Sequence, residues 1–158
     1  MDTIKELITI CTAKHCTISS CESLTAGLFT STVASVPGAS AVLKGGVVTY
    51  FTELKEKLVH VPAELVHTYG VVSEECAAAM ARNTRELTDS DYCVSFTGNA
   101  GPDTMEGKPA GRVYCAIASK RGVKPFMFQC DAMTRNEVRQ YVVDRMAEEL
   151  LKEVKENG

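Results

Sequence analysis

With 158 residues, 45% of them apolar and 23% charged, the chain suits one domain with one substantial core. A net charge of −3 without any basic block excludes the footprint of a duplex-binding protein, though a few local Arg or Lys could still hold a phosphate-bearing small molecule. The amino terminus lacks a signal-peptide core and no apolar run approaches membrane-spanning length, so a cytoplasmic protein with no membrane partner is expected.

The chain opens with Ile4, Leu7, Ile8 and Cys11 at helical spacing, which predicts an amphipathic helix over 2–13 with Asp2 or Thr3 as cap. Residues 17–23 then read as a short buried strand breaking off at a polar corner, followed by a helix over 28–36 that Pro37-Gly38 closes. Residues 42–51 read as a second strand, and its Gly45-Gly46 pair marks a bulge or a close approach of other atoms. A helix over 52–59 and a further turn opened by Pro62 come next. Ser73 caps the clearest helix, which carries Glu74 and Glu75 in its first turn and runs through Ala77 to Leu87.

Tyr92 to Phe96 forms a buried-looking strand that delivers the glycine-rich loop 97–102, and residues 103–109 form an irregular loop. Strands over 111–119 and 123–130, split by Lys120-Arg121-Gly122, make a hairpin. Val138, Val142, Met146, Leu150 and Leu151 line one face of a last helix over 136–154. Alternating helices and strands that end in a hairpin predict an α/β fold, a single three-layer α/β/α domain with a mixed sheet spanning residues 1–158.

The seven cysteines are odd in number and sit mostly in apolar runs, as buried thiols of a reducing compartment do. Three scattered histidines and the lack of a Cys-x-x-Cys pair argue against a metal site, and nothing calls for a cofactor. The corner holding Ser23 is more informative. The first turn of a helix offers unpartnered N–H groups at the positive end of its dipole, a setting that stabilises a phosphate or the oxyanion of an attacked amide. Ser23 is therefore either a nucleophile or, together with Thr25, simply a helix cap.

A nucleophilic serine needs a base. The sequence has no Gly-x-Ser-x-Gly elbow and no histidine in a segment that returns to this corner, so lysine is the other option, provided burial lowers its pKa. Lys55, with Phe51 and Val59 four residues to either side, is the candidate, against the alternative of an ordinary surface lysine. Lys57, with Glu53 at i−4, reads as a solvated pair. The loop 97–102 either brings backbone N–H groups to a phosphate or ribose or is a plain tight turn, and Arg135 with Arg139 forms either a phosphate fork or a solvated face.

Cys21-Glu22-Ser23-Leu24-Thr25-Ala26-Gly27, Val36-Pro37-Gly38-Ala39-Ser40, Gly45-Gly46-Val47-Val48-Thr49-Tyr50 with Lys55, Gly70-Val71-Val72-Ser73-Glu74, the loop 97–102 and Lys108-Pro109-Ala110-Gly111-Arg112-Val113-Tyr114 occur in that order. Together they resemble the successive signatures of the CinA carboxy-terminal domain family, which includes nicotinamide-nucleotide amidases. The resemblance implies hydrolysis of the carboxamide of nicotinamide mononucleotide, giving nicotinate mononucleotide and ammonia. It places the catalytic serine on Ser23 and the general base on Lys55.

Thr25, Ala26, Gly27, Tyr50, Thr97, Gly98, Gly101 and Arg139 are the expected substrate-binding positions, with the N–H groups around Thr25 to Gly27 holding the oxyanion. The partners the resemblance implies are a pyridine nucleotide and a second copy of the chain in a homo-oligomer. Three positions depart from the pattern: Ala26 where Gly is common, Asn99 where an apolar residue is common, and the segment 130–135 in place of a Gly-Asp-Arg signature. The competing expectations are a non-catalytic nucleotide-binding or assembly module that keeps the fold, and a thiol enzyme using Cys21.

Overall fold

A computed structural model describes residues 2–157. The elements are α1 (Asp2–Lys14), β1 (Ile18–Glu22), α2 (Leu28–Ala34), a 3₁₀ turn (Ala39–Ala41), β2 (Leu43–Val48), α3 (Thr52–Val59), α4 (Ala63–Tyr69), α5 (Glu74–Thr88), β3 (Tyr92–Gly98), β4 (Arg112–Ser119), β5 (Gly122–Gln129) and α6 (Arg135–Glu156). Their order and types follow the hydrophobic periodicity, while several ends differ: α2 stops at Ala34, short of the expected 36, and β2 covers Leu43–Val48 of the expected 42–51. Ser73 accepts the Cys76 N–H at the start of α5, and Thr134 with Glu137 forms a reciprocal capping box that starts α6 one residue early.

The five strands form one mixed sheet in the order β2-β1-β3-β4-β5, with β1 parallel to both neighbours and the β3-β4-β5 pairs antiparallel. Helices cover both faces. One core joins Leu7, Cys11, Phe29, Val33, Met146 and Leu150 of α1, α2 and α6 to Ile18, Val94, Phe96 and Cys115 of the sheet. Phe29 and Phe96 meet with ring centroids 5.5 Å apart, and truncating either to alanine would cost about 3–5 kcal/mol. On the other face Ala77 and Ala81 of α5 lie against Ala116 and Ala118, small residues that let helix and sheet approach closely.

Because β1 lies between β2 and β3 and runs parallel to both, the carboxyl ends of all three emerge at one edge. The chain leaves β1 toward β2 on one side and returns in β3 on the other. That reversal of strand order opens a crevice beyond the strand ends, where open α/β sheets bind ligands. The pairing continues one residue further, with Ser23 N–H bonded to Phe96 O and Thr49 N–H to Glu22 O, so Ser23, Thr49 and the Gly98 turn are brought to the same place.

Gly46 serves this edge by being small. A Cβ there would lie 2.7 Å from Ser20 Oγ and closer still to Thr30 Oγ1. The close approach expected of the glycine pair is thus between β2 and the first turn of α2.

Candidate active site

Ser23 and Lys55 are brought together. Lys55 enters from the first turn and a half of α3, is 1% exposed, and places Nζ 3.0 Å from Ser23 Oγ. Its other polar neighbours are main-chain carbonyls, Thr49 O at 2.6 Å and Tyr50 O at 3.4 Å. Among the described residues Lys55 forms no ion pair, and burial lowers its pKa. A neutral amine fits this nest: two N–H groups face two carbonyls, and the lone pair is left for the serine hydroxyl. Lys57, by contrast, is exposed and pairs with Glu53 at 2.7 Å.

Neither Ser23 nor Thr25 caps α2. The cap position is Gly27, with no side-chain cap bond, and the helix start is closed from behind by the Glu22 carboxylate. Glu22 Oε1 accepts the N–H groups of Gly27 (3.2 Å) and Phe29 (3.0 Å). Oε2 accepts Thr30 N–H (2.9 Å), Thr30 Oγ1 (2.6 Å) and Ser20 Oγ (3.0 Å). Glu22 is 1% exposed, and a charge so buried is tolerated because five donors and the positive helix end surround it.

This corrects the expected oxyanion donors. Gly27 N–H is spent on Glu22, and Ala26 N–H turns back on Ser23 O at 3.0 Å. Among the described residues the amides of Leu24 and Thr25 bond to no protein acceptor, and the buried Thr25 hydroxyl also lacks a partner. Ala26 sits at φ 48°, in the left-handed region, which is why glycine is the less strained choice there.

In front of Ser23 lies a cavity of about 530 Å³ walled by Leu24, Tyr50, Phe51, Gly98, Ala100 and Met105, with Glu53, Asp103 and Arg135 as its charged groups. Of the expected binding residues Tyr50 and Gly98 line it. A side chain at Gly98 would strike Arg112 O and Val113, so glycine there lets β4 pass.

Thr97 and Gly101 do not reach it: the Thr97 hydroxyl is buried and donates to Val71 O at 2.8 Å, and Gly101 lines a neighbouring cavity of about 460 Å³. Arg139 does not line it either. Its guanidinium is spent on Leu24 O (Nε, 2.9 Å), Thr25 O (Nη2, 3.0 Å) and Asn136 Oδ1 (Nη1, 3.0 Å). The arginine on the cavity wall is Arg135, which donates to Tyr50 Oη at 2.6 Å and to Gly101 O at 2.9 Å.

The loop 103–109 forms the outer wall and is tied down by residues whose role periodicity could not reveal. Asn99 Nδ2 donates to Met105 O and Lys108 O, and Met105 N–H returns to Asn99 Oδ1. Glu106 accepts the N–H groups of Val71 (2.7 Å) and Val72 (2.9 Å), and Lys108 caps the Tyr69 and Val72 carbonyls.

Cys21 lies under α5, outside the cavity, with Sγ 3.5 Å from Thr49 Oγ1; burial pushes its thiol up, the reverse of what a nucleophilic thiolate needs. Among the described residues no group of three or more His, Cys, Asp or Glu could hold a metal ion, and no helix is long and apolar enough to cross a membrane.

The family model of the CinA C-terminal domain matches residues 2–154. A protein of Listeria welshimeri named for competence-damage induction is 51% identical over 104 residues, 66% of this chain and 25% of the relative. One of Limosilactobacillus fermentum with the same name is 45% identical over 139 residues, 87% of this chain and 34% of the relative. The chain thus spans about a quarter to a third of the length of these curated relatives. Among solved structures, the competence/damage inducible protein CihA of Agrobacterium tumefaciens superposes with a TM-score of 0.91 at 31% identity, covering 98% of this chain and 94% of that one. A CinA superfamily protein of Escherichia coli gives 0.91 at 27% identity, covering 95% and 87%.

Proposed function

Since the chain belongs to the CinA C-terminal domain family, we propose that it is an amide hydrolase acting on the carboxamide of nicotinamide mononucleotide through Ser23 and Lys55. The observation that carries this reading is the 3.0 Å approach of a buried lysine, without a carboxylate partner among the described residues, to a serine that opens onto a cavity. As Ser23 Oγ attacks the amide carbon, neutral Lys55 takes its proton. The ammonium so formed protonates the amide nitrogen as the C–N bond breaks, so that ammonia leaves and Ser23 carries the acyl ester, and the amine is then ready to activate the water that hydrolyses the ester. The products are nicotinate mononucleotide and ammonia, and Ser23 and Lys55 return to their starting states.

The cavity suits such a substrate in chemistry as well as size. Tyr50 and Phe51, the latter 71% exposed, offer aromatic faces for a pyridinium ring, and Arg135, beyond its bonds to Tyr50 Oη and Gly101 O, keeps N–H groups and a positive charge on the cavity wall for a phosphate. A soluble protein working on the cytoplasmic nucleotide pool, assembled as a homo-oligomer, is part of the same proposal.

The test is ammonia release from nicotinamide mononucleotide by the purified protein and by Ser23→Ala. Activity that falls by roughly 10⁴-fold or more in the variant supports the reading. Equal inertness of both proteins on pyridine nucleotides and small amides overturns it in favour of a binding or assembly module.

A further inference from the structure

We infer that Arg139 is a positioning residue: it holds the turn after Ser23 so that the main-chain amides of Leu24 and Thr25 form the oxyanion hole. The inference rests on the Ser23 and Lys55 reading and supplies the donors that reading lacks.

In a trans peptide the carbonyl of one residue and the N–H of the next point in opposite directions. Arg139 holds Leu24 O at 2.9 Å and Thr25 O at 3.0 Å, so the N–H groups of Thr25 and Ala26 both leave the turn on the side away from the guanidinium. The destination of one is known, because Ala26 N–H lands on Ser23 O at 3.0 Å. The other, Thr25 N–H, leaves on the same side, and among the described residues neither it nor Leu24 N–H, on the residue after the nucleophile, meets a protein acceptor.

The rest of the turn is already committed. Gly27 N–H belongs to Glu22, as do the amides of Phe29 and Thr30, and Leu28 N–H bonds to Thr25 O. Two unspent donors beside a serine at the cavity wall are the arrangement an acyl-transfer oxyanion requires. Arg139 is suited to hold them because its planar fork spans two successive carbonyls and its charge polarises both peptides. Lysine, a single point donor, cannot span the pair in the same way.

The experiment compares wild type with R139K and R139A, reading covalent labelling of Ser23 by a fluorophosphonate, whose phosphoryl oxygen occupies an oxyanion hole whatever the natural substrate is. Labelling should slow by at least about 10-fold in both variants, toward the roughly 10²- to 10³-fold that follows loss of one oxyanion donor. In the amidase assay the loss should fall on kcat with KM little changed. It should be equally large on nicotinamide riboside, which lacks the phosphate, and millimolar guanidinium should restore part of the R139A rate without moving its Tm.

Wild-type labelling in a folded R139K overturns the inference, and that variant decides alone if R139A fails to fold. A loss confined to KM and to the phosphate-bearing substrate also overturns it and returns Arg139 to phosphate binding. If wild type itself resists the probe, the serine reading falls as well, whereas a labelled wild type with equally labelled variants removes the Arg139 role alone.

Discussion

Among the described residues the Ser23 hydroxyl is the one side-chain group within hydrogen-bond distance of the Lys55 amine, whose remaining neighbours are the carbonyls of Thr49 and Tyr50. Among the described residues no carboxylate bonds to the amine, so the loss of water outweighs the more distant pull of Glu106 and the neutral form gains. This balance, set by burial, is what a general base needs near neutral pH.

A pH dependence follows, with a definite sign. If neutral Lys55 is the base, kcat/KM should climb about tenfold per pH unit on the acid side and level off once the amine is deprotonated, with the bend below lysine's ordinary 10.5. Lys55→Arg, permanently charged, should remain at or below about a hundredth of wild-type activity at every pH. Stability moves the same way. Between the lowered folded pKa and the ordinary unfolded one, the unfolded chain holds a proton that the folded chain does not, so stability rises with pH across that window. Lys55→Met should flatten that rise, and denaturant titrations at several pH values would show it.

Glu22 gives a second prediction, on stability. Its two oxygens accept five donors, three of them main-chain N–H groups at the start of α2. Glu22→Gln keeps shape and volume but turns one oxygen into an NH₂ that faces donors. Either the Gly27 and Phe29 N–H groups, or the Thr30 N–H with the Thr30 and Ser20 hydroxyls, then lose their acceptor in a buried place, at a cost of about 1–3 kcal/mol for each group left unsatisfied. The denaturation midpoint should fall accordingly, and amide exchange should quicken first at Gly27, Phe29 and Thr30. An unchanged midpoint would mean that water takes over those donors.

The order of the elements, the mixed sheet and the Ser23 and Lys55 candidates were legible because each leaves a local mark: a period of two or 3.6, a cap, an amine flanked by apolar residues. What was not legible depends on where long side chains end. Arg139 lies on the expected helix, but nothing in its neighbours shows that its fork crosses to Leu24 and Thr25 instead of entering the cavity. Glu22 reads as one more polar residue of the corner, although an acid just ahead of a helix start was a usable signal. Thr97 looked like part of a ligand loop, yet its register on β3 turns the hydroxyl to Val71.

Asn99 carries the last prediction. Its amide ties Met105 and Lys108, closing the outer wall of the cavity. Asn99→Leu removes three hydrogen bonds at once, each worth about 0.5–1.5 kcal/mol net. The strand before it and Gly111 after it stay anchored, because Asn99 N–H still bonds to Arg112 O and Gly111 N–H to Asn99 O. Loosening should therefore be confined to residues 103–109, where Glu106 and Lys108 would still hold the loop to the segment 69–72. Hydrogen exchange at the Met105 amide should quicken by about 5- to 30-fold, the equivalent of 1–2 kcal/mol. Protease should nick the loop while the core stays intact, and KM should rise with kcat nearly unchanged, since Ser23 and Lys55 are held by other elements. A fall in kcat with KM unchanged would instead place the loop in the chemistry.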